Sequence, residues 1–277
     1  PRVRRQRQMC IRDSHKTQVS EKVEFIKLFL MVSIIIPTYN SSFFISQAIE
    51  SVLVQTYKDW EALVIDDCST DDSANIIKSY CQKDERIKYL KTEYASGSPT
   101  LPRNIGIKNS QGRYIAFLDS DDIWLPNKLE TQLHLFSDNK TAIVYSNYEK
   151  IAENGQRNSR IVVAPFTMDY QHLLLGNVIG CLTAIYDTEK VGKVYFSDYP
   201  HEDYIMWLSI LKKGYIARNT NTVTALYRVR YNSVSSNKLK VISWQWEIYR
   251  SVEKLGYWKS VLFFISYAYK AFRKSLV

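Results

Sequence analysis

The sequence predicts an α/β fold built on a doubly wound, mostly parallel sheet with flanking helices. Strand-like and helix-like segments alternate four times between residues 32 and 119. Most of the strand-like runs are rich in apolar residues, as expected for strands that are covered by helices on both faces. With 277 residues and 45% hydrophobic residues, the chain is long and apolar enough to bury a sizeable core.

Short apolar runs predict the strands, and apolar residues at helical spacing predict the helices between them. The run "VSIII" ends at Pro37 and opens the pattern. The predicted strands are 32–36, 60–66, 86–91 and 113–119, and the helices between them are 42–55, one around 76–80 and a short one around 105–107. Further strands are predicted at 141–150 and 180–187, with a polar, flexible loop at 152–160.

The net charge of +9 belongs to the two ends of the chain. Residues 1–30 contain eight Lys/Arg and three Asp/Glu, residues 238–277 contain eight and two, and the part between them has a net charge of −2. This distribution argues against a nucleic-acid-binding core. A basic end next to an acidic membrane surface explains it better.

Residues 1–30 carry no folding pattern. "PRVRRQRQ" is basic and lacks the apolar core of a signal peptide, and "MCIRDS" resembles the translation of a sequencing adapter. We expect 1–30 to be an artefactual or disordered extension, with the patterned sequence starting at Met31. The expected organisation is then a catalytic domain at 31–237 and a basic, aromatic helical tail at 238–277.

Cysteine and hydropathy patterns point to a cytoplasmic protein. The four cysteines have neither metal-ligand spacing nor the density of a disulfide framework, which favours reduced thiols. No run reaches 18 apolar residues, so the sequence predicts no transmembrane helix.

Acidic side chains follow two of the predicted strands. "IDDCST" at 65–70 and "FLDSDD" at 117–122 both come where a strand ends, as does "IPTYN" at 36–40. Ligands of open α/β sheets bind outside the carboxyl ends of the strands, so these three segments predict one site.

Bulk water, a basic side chain and a metal ion are the candidates for relieving the repulsion among Asp119, Asp121 and Asp122. Neither G-x-G-x-x-G nor G-x-x-x-x-G-K-[ST] occurs, so there is no glycine-rich loop to hold a phosphate. Carboxylates suit Mg²⁺ or Mn²⁺ that arrives with substrate phosphates. The sequence therefore predicts a divalent metal bound together with a diphosphate.

Four segments in this order resemble the motif set of family 2 glycosyltransferases, which have the GT-A fold. They are "SIIIPTYN", "VIDDCSTDDS", "RNIGIKNSQGRYIAFLDSDD" and "HEDYIMWLSILKKG", and the resemblance covers about 31–235. The resemblance implies a nucleotide-sugar site made of Pro37, Thr38, Tyr39, Asn40, Asp66, Asp67, Arg103, Asn104, Asp119, Ser120 and Arg230.

The resemblance also implies roles on the donor side. Tyr39 would stack near the base, Asp67 would accept a hydrogen bond from the uracil imide, and Asp66 would support that loop. Arg103 and Asn104 would face the nucleotide.

The resemblance also implies which residues bind the metal and which residue is the general base. Asp121 of the D-x-D motif would bind Mn²⁺ or Mg²⁺, and Asp119 would hold the ribose or a water of the metal. Asp203 would be the general base, with Glu202 beside it. Arg230 stands where many relatives have a histidine, and an arginine there pairs with diphosphate instead of binding a metal.

Structural alternatives remain open for these acids. Asp66 and Asp67, or the acids at 119–122, would also serve as caps of the helices that follow them, and Asp122 fits a cap better than a ligand. Glu202 and Asp203 begin a predicted helix, where carboxylates are favoured by the dipole. Trp207 is either core or the floor of the acceptor site.

The predicted activity is inverting transfer of a sugar from a nucleotide sugar, with UDP expected, to a hydroxyl of a saccharide. No Q-x-x-R-W follows "HED", which argues against a processive polymerase. The basic, aromatic tail suggests a lipid-linked acceptor at the inner face of the cytoplasmic membrane; the alternative is an ordinary extension that packs on the domain. Rival functions are a non-catalytic nucleotide-sugar binding module and a sugar-nucleotide pyrophosphorylase, whose glycine-rich loop is missing.

Overall fold

The computed structural model of the chain describes residues 30–230 and 238–275. The expectations for residues 1–29 lie outside these ranges, as do residues 231–237. The described residues form one large sheet with helices on both faces, as predicted. Further helices follow the last strand.

The sheet has ten strands, and its order along the main path is β3-β2-β1-β4-β9-β6-β10-β5. β7 pairs with β6 and β8 pairs with β10. The pairs β1–β2, β2–β3, β1–β4 and β6–β10 are parallel, whereas β9 is antiparallel to both β4 and β6. The strands are β1 Val32–Thr38, β2 Trp60–Asp66, β3 Ile87–Lys91, β4 Tyr114–Phe117, β5 Ile123–Trp124, β6 Thr141–Ile151, β7 Arg157–Val162, β8 Thr167–Met168, β9 Ile185–Asp187 and β10 Ile216–Arg228.

The first three helices are the crossovers that the sequence predicts between parallel strands. The α-helices are α1 Ile45–Leu53, α2 Ser73–Cys81, α3 Thr100–Asn109, α4 Lys128–Leu133, α5 Tyr170–Leu173, α6 Thr188–Val191, α7 Glu202–Leu211, α8 Lys238–Glu247 and α9 Tyr257–Ser275. Short 3₁₀ turns lie at His134–Ser137 and Cys181–Thr183, and a π-helical turn at Ile248–Val252 joins α8 to the last helix.

Two apolar cores lie on the two faces of the sheet. Successive residues of a strand point to opposite faces, and accordingly Ile34 and Ile36 belong to one core and Ile35 to the other. Gly106 of α3 lies so close to β1 that an added Cβ would stand 2.5 Å from the Ile35 side chain. This glycine therefore lets α3 lie directly on the strand.

Two predictions about the second half of the sheet were wrong, and one strand was missed. Residues 157–160 belong to strand β7 instead of a loop, and only 185–187 of the predicted strand 180–187 is a strand, because a 3₁₀ turn precedes it. The 13-residue strand β10 was not predicted at all. Its core-facing residues are interrupted by polar ones, since Asn219 and Thr224 are buried and hydrogen-bonded.

The C-terminal region begins as part of the domain. Ile248 and Tyr249 are fully buried in the same core as Trp207, and Phe263 and Phe264 of α9 pack against it. The other side of α9 is exposed: Trp258, Leu262 and Ile265 are 77%, 69% and 60% accessible. None of the helices in the described ranges is both long and apolar enough to cross a membrane.

Candidate active site

The carboxyl ends of three parallel strands meet at one edge of the sheet. Thr38 of β1 is in register with Asp66 of β2, and Ile35 is in register with Phe117 of β4. The loop after β1 touches the loop after β4 through a 2.7 Å hydrogen bond between the Ser41 and Ser120 hydroxyls. The three segments predicted to form one site therefore lie side by side.

The loop after β1 is fixed by Asn40. Its backbone has a φ of 45°, a left-handed conformation that asparagine tolerates better than most residues. Its Oδ1 accepts a hydrogen bond from the backbone N–H of Thr70 at 2.8 Å. Asn40 thus joins the loops after β1 and β2, while the preceding Tyr39 is 53% exposed and available for stacking.

Asp66 holds the loop after β2. One oxygen accepts from the backbone N–H of Ser69 at 2.9 Å, and the other accepts from the hydroxyl of Tyr89 at 2.8 Å. Asp66 therefore fixes the loop after β2, and its role beside a bound nucleotide stays a prediction. The helix cap that was left as an alternative is absent, because α2 begins after Asp72.

Asp67 is buried beside Asp66, and its carboxylate faces the loop that precedes α3. It accepts hydrogen bonds from the hydroxyl of Thr92 at 3.0 Å and from the hydroxyl and backbone N–H of Ser96 at 2.8 and 3.0 Å. Asp67 thereby fixes the loop at 92–96, and its expected contact with a uracil imide stays a prediction.

The three aspartates after β4 have three different environments. Asp122 is buried, and its Oδ1 accepts from the backbone N–H of Arg228 at 2.8 Å while its Oδ2 has no partner. Burial and the charges of Asp119 and Asp121 raise the pKa of Asp122 well above its usual range. Asp122 thus ties this loop to the end of β10 instead of capping α4, whose N-cap position is Asn127.

Asp121 is partly exposed, with 25% of its side chain accessible. Burial, then the charge of Asp119, raises the pKa of its carboxyl group, and Arg230 opposes that shift. The Arg230 guanidinium lies 3.4 Å from Asp121 Oδ2. One loose arginine contact leaves this carboxylate short of positive charge.

Arg228 is a site residue that the sequence analysis missed. Its guanidinium donates to the backbone oxygens of Asp121 at 2.7 Å and of Glu153 at 2.7 Å, and to Gln47 Oε1 at 2.8 Å. It therefore joins the D-x-D loop to α1 and to the β6–β7 turn. The segment "YRVR" indicated a site role for Arg228 only weakly, because Arg228 and Arg230 are equally suited to the pairing with diphosphate that was assigned to Arg230.

Arg103 lies at the centre of the site. Its two terminal nitrogens donate to Asp119 Oδ1 at 2.6 Å and to Glu202 Oε1 at 2.7 Å. These two carboxylates raise the pKa of the guanidinium despite its burial. Its neighbour Asn104 makes two hydrogen bonds to the backbone of Phe196, of 2.9 and 2.8 Å, so its carboxamide holds the chain that leads to α7.

Asp203 lies at the start of α7, next to Glu202. Its Oδ1 accepts from the backbone N–H of Tyr204 at 2.7 Å, and its Oδ2 accepts from Asn177 at 3.2 Å. Burial, then the charge of Glu202, raises its pKa to about 6. The residue is therefore ionised at neutral pH, yet more basic than an ordinary aspartate. Trp207, one turn later, is fully buried and belongs to the core.

The turn at 180–184 lies beside the candidate site and is held by three side chains. Trp124 Nε1 donates to the backbone oxygen of Leu182 at 2.9 Å, and Lys128 and Gln132 donate to that of Thr183 at 2.9 and 2.8 Å. The pKa of the Cys181 thiol is raised by its burial and by the carboxylates around it. The Cys181 thiol is therefore uncharged at neutral pH and lies beside Arg103 and these carboxylates.

The donor set fits a divalent cation that shares its coordination with a substrate. Asp119 and Asp121 offer hard oxygen ligands. In residues 30–230 and 238–275, however, no group of three or more His, Cys, Asp and Glu has the arrangement of a complete metal site. One or two carboxylates plus phosphate oxygens are the usual ligands of Mg²⁺ at phosphate sites. The expected ligand set is therefore compatible with this geometry.

Known proteins agree with this architecture. The model of the family described as "Glycosyl transferase family 2" matches residues 33–185. The teichuronic acid biosynthesis glycosyltransferase TuaG, so named in Bacillus subtilis (strain 168), is 38% identical over 89% of this chain and 98% of its own length. The Escherichia coli enzyme named UDP-Glc:alpha-D-GlcNAc-diphosphoundecaprenol beta-1,3-glucosyltransferase WfgD is 44% identical over 79% of this chain and 85% of its own.

A solved structure shows the same fold. Staphylococcus aureus TarS 1–349, crystallised in complex with UDP-GlcNAc, superposes with a TM-score of 0.66 at 21% identity, covering 86% of this chain and 72% of that one. The predicted GT-A architecture is confirmed, and the family match covers more than half of the chain. The chain is a glycosyltransferase and belongs to glycosyl transferase family 2.

Proposed function

We propose that this enzyme transfers a sugar from a UDP-sugar to a hydroxyl of a lipid-diphosphate-linked saccharide, with inversion, in the synthesis of a bacterial surface polysaccharide. The observation that carries the proposal is the arrangement around Arg103. The Arg103 guanidinium pairs with Asp119, which follows β4, and with Glu202, which precedes Asp203 in α7. A site for a donor and a base for an acceptor are therefore adjacent.

We propose UDP as the nucleotide because two similar proteins are described with UDP-sugars. WfgD is named for UDP-Glc, and TarS was crystallised with UDP-GlcNAc. In this chain, Asp67 would accept from the uracil imide, and the exposed Tyr39 would stack on the base. Asp119 would hold the ribose. Arg230 is half exposed at the mouth of the cleft, where it would pair with the diphosphate.

Asp121, with Asp119, would hold Mn²⁺ or Mg²⁺ together with the donor. The cation would stabilise the negative charge that grows on the diphosphate as the sugar leaves. Arg230 would add a second positive charge once the diphosphate takes its place beside Asp121.

Asp203 would accept the proton of the attacking acceptor hydroxyl. Its pKa of about 6 is closer to neutrality than that of an ordinary aspartate, which improves a general base. Oδ2 is the better placed oxygen, since its contact with Asn177 is longer than the contact of Oδ1 with a backbone N–H. A single displacement assisted by one base inverts the anomeric centre, in keeping with the name of WfgD, in which UDP-Glc yields a β-1,3 linkage.

The acceptor class is also inferred from relatives. WfgD is named for a saccharide on diphosphoundecaprenol, and TuaG for teichuronic acid, a surface polymer. We propose that the exposed side of α9 brings the enzyme to the inner face of the cytoplasmic membrane. Trp258, Leu262 and Ile265 lie at i, i+4 and i+7 on one face, and Lys259 beside them is exposed.

A donor and acceptor screen tests this function. The purified enzyme, with Mn²⁺, receives a synthetic GlcNAc-diphospho-lipid and, in turn, UDP-, GDP- and dTDP-sugars, and products are identified by mass spectrometry and NMR. The proposal predicts one added sugar from a UDP-sugar, in the anomeric configuration opposite to that of the donor. Transfer only from GDP- or dTDP-sugars, or retention of configuration, would contradict it.

A further inference from the structure

One guanidinium serves two carboxylates that have different tasks in the proposed mechanism. Arg103 belongs to α3, Asp119 follows β4, and Glu202 begins α7. The two ion pairs are 2.6 and 2.7 Å long. They connect segments that are 16 and 99 residues away from Arg103 in the chain.

The environment of Arg103 makes both pairs costly to break. The side chain is 5% exposed, against 33% for Asp119 and 21% for Glu202. Its Nε has no hydrogen-bond partner, so the two terminal nitrogens carry all of its described hydrogen bonds. A buried charge that loses its partner destabilises a protein strongly. The planar fork of arginine suits two carboxylates at once, and the ammonium of lysine does not.

We infer that Arg103 is a positioning residue that couples donor binding to the acceptor side of the cleft. The inference rests on the proposed function, in which Asp119 contacts the donor and Glu202 stands beside the base. Because both acids share one guanidinium, a change in the charge of either alters how strongly the other is neutralised. Glu202 thereby influences the donor site without touching the donor.

The sign of this influence follows from the shared charge. If Glu202 loses its charge, Arg103 neutralises Asp119 alone. Asp119 then becomes a poorer partner for a ribose hydroxyl or a metal-bound water, and UDP binding weakens. The Asn177 side-chain nitrogen donates to Asp203, so we expect its substitution to change the acceptor side and to leave the donor side alone.

Thermal unfolding without ligand tests the bridge itself. Asp119→Asn, Glu202→Gln and the double variant are compared in the wild type and in Arg103→Gln. Each single variant leaves Arg103 one charged partner, and the double variant leaves it none. The double variant should therefore lose about 3 °C more in Tm than the two single losses together. In Arg103→Gln this excess should vanish. Additive losses in the wild type would overturn the inference, whatever the activity of the enzyme.

Calorimetric titration with UDP in Mn²⁺ tests the coupling. Glu202→Gln should weaken UDP binding at least threefold, and Asn177→Ala should leave it within error of the wild type. Unchanged affinity in Glu202→Gln would overturn the coupling. If the ligand-free excess is found but the wild type does not bind UDP, the bridge stands and the proposed function fails.

Steady-state kinetics separate positioning from simple stability. Arg103→Lys keeps the charge but cannot span both carboxylates. It should raise the donor KM and lower kcat together, at a temperature well below its Tm. Asn177→Ala should lower kcat with the donor KM unchanged. An Arg103→Lys enzyme with normal kcat and donor KM would contradict the positioning role.

Discussion

The two halves of the sheet differ in regularity and in the role we propose for each. Residues 32–119 form parallel strands whose ladders run without a register shift. Residues 141–228 form a mixed region in which β6 and β10 pair in parallel with three register irregularities and antiparallel neighbours. The first half presents the nucleotide-side loops, and the second half, with α7, presents the proposed base.

This difference suggests that binding and catalysis can be separated by mutation. Asp67, Asp119 and Asp121 follow strands of the regular half, whereas Asp203 lies at the start of α7, which comes between β9 and β10 in the chain and packs in a core that both halves share. Arg103 is the described contact that joins the two sets of carboxylates. Most variants are therefore expected to affect one half only.

The largest separate effect is expected for Asp203→Asn. Loss of the general base should lower kcat about 10²-fold or more, since positioned proton transfer contributes roughly 10²–10⁴-fold. UDP affinity should stay nearly unchanged, because the nucleotide-side acids lie on other elements. Steady-state kinetics and UDP titration measure the two quantities. Near-normal turnover would show that Asp203 is not the base. A matching loss of UDP affinity would show that Asp203 also supports donor binding.

The pH profile sharpens the same assignment. The pKa of Asp203 is raised to about 6, and only its ionised form accepts a proton. The value of kcat/KM should therefore fall about tenfold per pH unit below pH 6 and level off above it. A profile that stays flat from pH 5 to 7 would argue against this carboxylate as the base.

The raised pKa of Asp203 also predicts the thermal stability of Asp203→Asn. The folded pKa of Asp203 lies above its unfolded value of 3.8, so the ionised residue costs stability, and this cost appears as the pH rises from about 4 to 6. Asp203→Asn removes that cost and is expected to melt no lower than the wild type at pH 8. Lost activity with an unchanged melting temperature would then reflect chemistry.

A smaller effect is expected outside both halves, at the exposed face of α9. Leu262→Ser with Ile265→Ser should weaken binding to anionic phospholipid vesicles several-fold at low salt, since apolar area on this face would enter the lipid. UDP affinity should not change. Val163→Ser is the matched control, because Val163 is 73% exposed on a different surface. Equal vesicle binding by all three proteins would reject a membrane role for this face.

The sequence predicted the regular half because local pattern and final environment agree there. Five of the seven residues in the run 60–66 are apolar, and all seven are buried. The irregular half escaped prediction because its strands are stabilised from a distance. Buried Asn219 of β10 is satisfied by Asn147 of β6 and by the backbone of Ala164, and no local spacing encodes those partners.

Several contacts of the motif residues were not foreseen. Asn104 was expected to face the nucleotide, yet its carboxamide is held by the backbone of Phe196. Ser120 turns to Ser41, and Arg103 bridges two acids. A motif gives the residue type and its position, whereas the orientation of a side chain depends on neighbours that are far away in the chain.

The central claim is that a divalent cation, which binds together with the diphosphate, balances the negative charge of the acids after β4. UDP titration in Mn²⁺ and in EDTA, for the wild type, Asp121→Asn and Asp122→Asn, tests it most directly. Asp122 keeps its backbone partner as asparagine and is the matched control. We predict that Mn²⁺ tightens UDP binding about tenfold or more in the wild type and in Asp122→Asn, and not in Asp121→Asn. Equal UDP affinity of the wild type in Mn²⁺ and in EDTA would contradict the account.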